Sequence, residues 1–164
     1  MRTAFLLTVS AYAVIVAAAA WLLPDRVPLH FGIGGEPDRW GSRTEALVAF
    51  GLVGAGVAAL LGGGARLVHR LPLHSGWVNL PHKEWWTATP EREQRARARM
   101  ARQTYTMATA TMLLVGTAVV LTILAARRDD PELAAGGWIL LAMVVLVLTL
   151  GVRSHRAFRP ETER

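Results

Sequence analysis

His30 stands close in sequence to Asp25, Glu36 and Asp38, and an imidazole among carboxylates is the residue set that holds a divalent cation or exchanges protons with a substrate. The same residues serve a surface turn equally well, with Asp25 and Asp38 accepting from turn amides and His30 packed beside Trp40. We adopt that second reading and assign no catalytic residue, no metal and no cofactor. His69, His74 and His82 match no compact ligand spacing. The run Gly32-Ile33-Gly34-Gly35 lacks the preceding strand, the spacing and the Lys-Ser/Thr of a phosphate cradle. There is no cysteine, hence no thiol nucleophile, thiolate site or disulfide. Arg92, Arg95, Arg99 and Arg102 fall on one face of a helix, where they would hold a loop in the cytoplasm or dock anionic lipid. A nucleic-acid partner is not expected.

These residues are positioned by elements of another character. Of 164 residues, 52% are hydrophobic, mean hydropathy is +0.32, and yet Lys and Arg number 18 against 12 Asp and Glu. The apolar residues are gathered into four blocks, residues 4–23, 46–65, 105–126 and 133–152, none containing Asp, Glu, Lys, Arg or His. About 20 apolar residues at 1.5 Å each match the roughly 30 Å hydrocarbon layer. A backbone in lipid must bond to itself, so each block is helical. Buried helices of a soluble protein would carry a polar stripe at 3.6-residue spacing, and no block has one. The expected fold is therefore all-α: one integral membrane domain, a four-helix bundle over residues 1–164, with lipid as its main partner.

Both termini are expected inside. In that orientation Arg26, Arg39, Arg43, Arg127 and Arg128 lie outside, and all the other Lys and Arg of the 18 lie in the cytoplasm. Trp21 and Trp138 then fall at the outer headgroups. The first block imitates a secretory signal through Arg2 and the Ala17–Ala20 run, but it continues through Trp21-Leu22-Leu23 to full spanning length, so it is read as a retained span.

Within the second span, Gly54, Ala58 and Gly62 recur every fourth residue as a ridge that admits another backbone, in this chain or in a second copy. The threonines of the third span are expected to bond back to carbonyls one turn earlier. No charge lies mid-membrane, which argues against a proton relay or a charge-coupled carrier. In the first loop, Pro24 and Pro28 stiffen the chain and Gly32, Gly34 and Gly35 permit turns, so a compact extracytoplasmic cap is expected, anchored by Trp40 and Phe31. Ser42 or Thr44 would cap the second span. The second loop, residues 66–104, is basic and aromatic. Its Leu71, Leu73, Trp77, Val78, Leu80, Trp85 and Trp86 would partly lie in the cytoplasmic headgroup layer. Thr89-Pro90-Glu91 is a helix start, and one helix is predicted from Pro90 to about Ala126.

The run LPDRVPLHFGIGGEPDRWGSR between the first two blocks resembles the signature of bacterial membrane domain of unknown function 1648, the amino-terminal domain of SdpI-type proteins. The matching positions are Pro24, Pro28, His30, Gly35, Asp38 and Trp40; with Asp25 they form the binding or sensing set. The run VNLPHKEWWTATPER is similar to an Asn-x-Pro-x-Lys/Arg-Glu-Tyr/Trp-Trp stretch of actinobacterial relatives, carried here by Asn79, Pro81, Lys83, Glu84, Trp85 and Trp86. His82 stands where Asn is expected, and Trp85 where Tyr is usual. The resemblance implies a multi-pass protein of the bacterial plasma membrane, engaged in sensing, signalling or toxin immunity with a regulator or a secreted peptide as partner. A non-enzymatic envelope protein is thus the leading class. The alternatives are a transport or channel component and a metal-dependent membrane enzyme using His30, Asp25 and Asp38.

Overall fold

In the computed structural model, described for residues 1–160 except Ile33, His69 and Trp77, the order is α1 (Arg2–Leu22), β1 (Arg26–Phe31), β2 (Pro37–Ser42), α2 (Arg43–Val57), a π-helical turn (Ala58–Gly62), α3 (Gly63–Leu67), α4 (Lys83–Thr87), α5 (Pro90–Ala126) and α6 (Ala134–Arg156). Expectations placed on His69 and Trp77 lie outside the described residues. Among those described, four helices are long and apolar enough to cross a membrane: Arg2–Leu22, Arg43–Leu67, Pro90–Ala126 and Gly136–Arg156. The protein is a mostly helical, multi-pass membrane protein with one minor two-stranded sheet.

Why the helices begin where they do is local chemistry. Ser42 Oγ accepts the Glu45 amide and caps α2, with Glu45 itself in the first, electropositive turn. Thr89 Oγ1 accepts the Arg92 amide and Pro90 opens the first turn of α5. From there α5 runs 37 residues without a break, as the pattern required. Its Thr106, Thr109 and Thr122 hydroxyls donate to the carbonyls of Arg102, Tyr105 and Ala118, the back-bonding expected of them.

Packing is uneven. α1, α2 and α5 pack mutually around Phe5, Tyr12, Ala19, Ala108, Met112, Val119 and Ile123. α6 packs on α5, and no residue of its apolar window is buried. The Gly54/Ala58/Gly62 ridge does meet a neighbour, but rings rather than a backbone. A Cβ on Gly54 would lie 2.0 Å from Tyr12 Cε1, and one on Gly62 2.7 Å from Phe5 Cε1. The Tyr12 hydroxyl donates to the Phe50 carbonyl at 2.6 Å.

The molecule has two distinct ends. At one, the α5–α6 connection is tied to the hairpin by the Leu133 amide donating to the Gly35 carbonyl at 2.8 Å. At the other, the segment before α5 and the segment after α6 share a second core of Leu73, Val78, Leu80, Trp86, Ala96 and Phe158. Of the apolar side chains of the second loop, Leu73 and Trp86 are fully buried against protein rather than in the headgroups, because the loop folds over the end of α5, while Leu71 and Trp85 are half-buried.

Candidate functional site

The first loop is an antiparallel β-hairpin, where only turns were expected. Arg26 pairs with Ser42, Val27 with Gly41, Pro28 with Trp40, His30 with Arg39 and Phe31 with Pro37, and the register shifts on either side of His30. The irregularity puts consecutive residues Val27 and Pro28 on the buried side. Gly32 and Glu36 close the turn by an amide-to-carbonyl bond of 2.8 Å, and Gly35 takes a φ of 89° that disfavours a β-carbon. Gly41 leaves room for two side-chain ends: a Cβ there would stand 2.3 Å from the Leu29 side chain and 2.5 Å from Glu45 Oε2, so both would have to shift.

Three ion pairs lace the hairpin to itself and to α2. His30 Nδ1 lies 2.6 Å from Asp38 Oδ1, Arg39 Nη2 donates to Glu45 Oε1 at 2.6 Å, and Arg43 Nη2 donates to Asp25 Oδ1 at 2.9 Å. Asp25 and Asp38 therefore meet basic side chains rather than turn amides, and His30 faces Arg39 rather than Trp40 across the strands. The carboxylates are exposed, so each pair contributes at most about 1 kcal/mol and acts mainly on geometry. The anchors of the cap are Val27, Pro28 and Leu23, all buried. Trp40, expected to be an anchor, is 37% exposed, with the Arg26 guanidinium 4.8 Å from its ring centre. Alternating burial would have pointed inward at one of Val27 and Pro28 only. Pro24 is half-buried at the end of α1.

Chemically, the hairpin presents a carboxylate-held imidazole on an open, charged surface. Among the described residues no three His, Asp or Glu side chains converge as metal ligands. Glu36 and Asp25 stand outside the His30–Asp38 pair. The surface is one of paired charge with a partly exposed indole.

At the opposite end the second-loop residues are brought together. Trp85 and Trp86 stack edge to face at 4.8 Å, and Trp86 Nε1 donates to the Phe158 carbonyl at 2.9 Å. Lys83 Nζ donates to the Ser75 carbonyl, while Glu84 is exposed. Asn79 and Pro81 rim a cavity of about 470 Å³ that Met100, Gln103, Gly151 and His155 complete. His82 has a left-handed backbone, φ 54°, and its carbonyl accepts from the Trp85 and Trp86 amides. The arginine face is only partly available for docking. Arg92 lies 4.2 Å over Trp85, and Arg99 lies over Trp86 and donates to the Ala157 carbonyl at 2.6 Å. Arg97, which the arginine stripe did not include, bonds to the Val68 and Leu71 carbonyls and to Glu93 Oε1. The Glu91 carboxyl, near Arg95, is held below its usual range, first by its backbone amide and then by the Thr89 side chain.

Residues 6–55, from the first span through the hairpin into α2, match the family described as Domain of unknown function (DUF1648), the domain whose signature the hairpin sequence resembles. An uncharacterized protein of Archaeoglobus fulgidus is 38% identical over 78 residues, a match covering 41% of this chain and 41% of that protein. The chain thus matches less than half the length of that relative. No solved structure matches. Neither of the two matches is described as an SdpI-type protein.

Proposed function

We propose that this is a non-enzymatic protein of the bacterial plasma membrane in which the hairpin, outside, engages a secreted peptide or envelope component, and the basic aromatic cap, inside, passes on or resists the consequence. The SdpI-type reading, sensing, signalling or immunity, is the form of this role that the hairpin's resemblance favours. The observation that carries it is the continuity of α5. Val27 of the hairpin shares one core with Val119 and Ile123 near one end of that helix, while Ala96 near the other end is buried with Trp86 and Phe158. One unbroken 37-residue helix joins the two ends, and on this reading a load on the hairpin is passed to the cap along it.

The test is a deletion strain challenged with peptides secreted by its own species and complemented in turn by the wild type and by His30→Ala/Asp38→Ala. Both side chains are exposed, so the variant should reach the membrane at normal abundance. Protection by the wild type and its loss in the variant is the expected result. Equal protection at equal abundance removes the hairpin from the role.

A further inference from the structure

The gap beside α6 carries an inference independent of what the hairpin binds. At the basic end, Arg102 and Thr106 of α5, Leu150 and Arg153 of α6, and Met1 before α1 line a groove of about 390 Å³. Arg102 and Arg153 are both exposed, and among the described residues neither guanidinium has a protein partner, in contrast to Arg97 and Arg99. Further along the same helix a second groove of about 210 Å³ lies between α1 and α5, lined by Thr8, Tyr12, Ile15, Met112, Gly116 and Val120. From Arg102 to Gly116 is about 21 Å at 1.5 Å per residue, the distance from a headgroup to the middle of a bilayer.

We propose that an anionic phospholipid of the leaflet at the basic end lies along α5 over these two separate grooves, its headgroup phosphate between Arg102 and Arg153 and one acyl chain reaching to the α1–α5 groove. Charge complementarity selects the occupant. Two free guanidinium groups at headgroup depth, above an apolar trough open to the side, suit a diacyl anion and give a zwitterionic lipid no comparable advantage.

The experiment is native mass spectrometry of the full chain released from nanodiscs of phosphatidylglycerol and phosphatidylcholine in equal parts. One phosphatidylglycerol per chain should survive release from the wild type. In Arg102→Gln/Arg153→Gln its affinity should fall about thirtyfold, the product of two cationic contacts. Arg127→Gln/Arg128→Gln, an equal charge change at the hairpin end, should keep the lipid. Retention of phosphatidylcholine to the same degree, retention by the Arg102/Arg153 variant, or equal loss from the control variant would each overturn the site. Displacement by soluble glycerol phosphate would show a simple anion site and overturn the lipid assignment. A lipid-free dimer in place of a lipid-bearing monomer would assign the gap to a second copy and do the same.

Discussion

Tyr12 and Gly54 act as one unit. The phenol hydroxyl reaches the Phe50 carbonyl only because residue 54 has no side chain, a β-carbon there being 2.0 Å from the ring. Gly54→Ala should therefore lower stability in detergent by about 1–3 kcal/mol through overpacking. Tyr12→Phe, which keeps the ring and loses one bond, should lower it by about 1 kcal/mol. In Tyr12→Ala the alanine at 54 should be tolerated, so a thermal double-mutant cycle showing additive losses would refute the coupling. His82 gives a second residue-scale result. Its left-handed backbone is one that Asn tolerates and β-branched residues do not, which gives a physical reason for expecting Asn at that place. His82→Asn should hold or raise stability while His82→Val lowers it by about 1–2 kcal/mol, read from thermal melts of the purified protein. That position was legible as a departure from a pattern, but its conformation was not, since no single residue type encodes φ.

Among the elements, the helices were legible and the hairpin was not. Spanning length, Ser42 and the Thr89-Pro90 pair are local signals that need no tertiary partner. The strands RVPLHF and PDRWGS contain prolines, lack alternation and have a shifted register, so nothing periodic marks them. The π-turn was equally invisible, yet it settles the register of two helices. Gly54 and Gly62 are eight residues apart, which in a regular helix leaves them about 80° from a common face. Phe5 and Tyr12, seven apart on α1, do share a face. One extra residue accommodated within Ala58–Gly62 turns Gly62 back toward Phe5. Deleting Ala59 should convert the turn to regular α-helix and leave membrane abundance near wild type. Deleting Leu52, outside the turn, should rotate the hairpin by about 100° against the rest and sharply lower abundance. Equal damage from the two deletions, measured by immunoblot of membranes, would contradict this role for the π-turn.

For the whole molecule, the decisive property is which groups share an end. The Leu133 amide bonds to the Gly35 carbonyl, so the hairpin and the α5–α6 connection lie together; Trp86 bonds to the Phe158 carbonyl, so the second loop and the segment after α6 lie together. With the four spans of the described residues these two groups fall on opposite membrane faces, and the excess of Lys and Arg at the second is the basis for expecting that end in the cytoplasm. Because the chain has no cysteine, this can be read without first altering it. Glu36→Cys and Glu132→Cys, both at exposed positions of the hairpin end, should react with a membrane-impermeant maleimide on intact cells. His74→Cys and Glu91→Cys, exposed at the basic end, should react only after the cells are permeabilised. The paired design separates two failures. Reaction of the second pair alone on intact cells would invert the orientation, keep the fold and place the hairpin in the cytoplasm, beyond reach of a secreted peptide. Reaction of Glu36→Cys without Glu132→Cys would break the shared end itself, and with it the argument that a load on the hairpin is carried along α5.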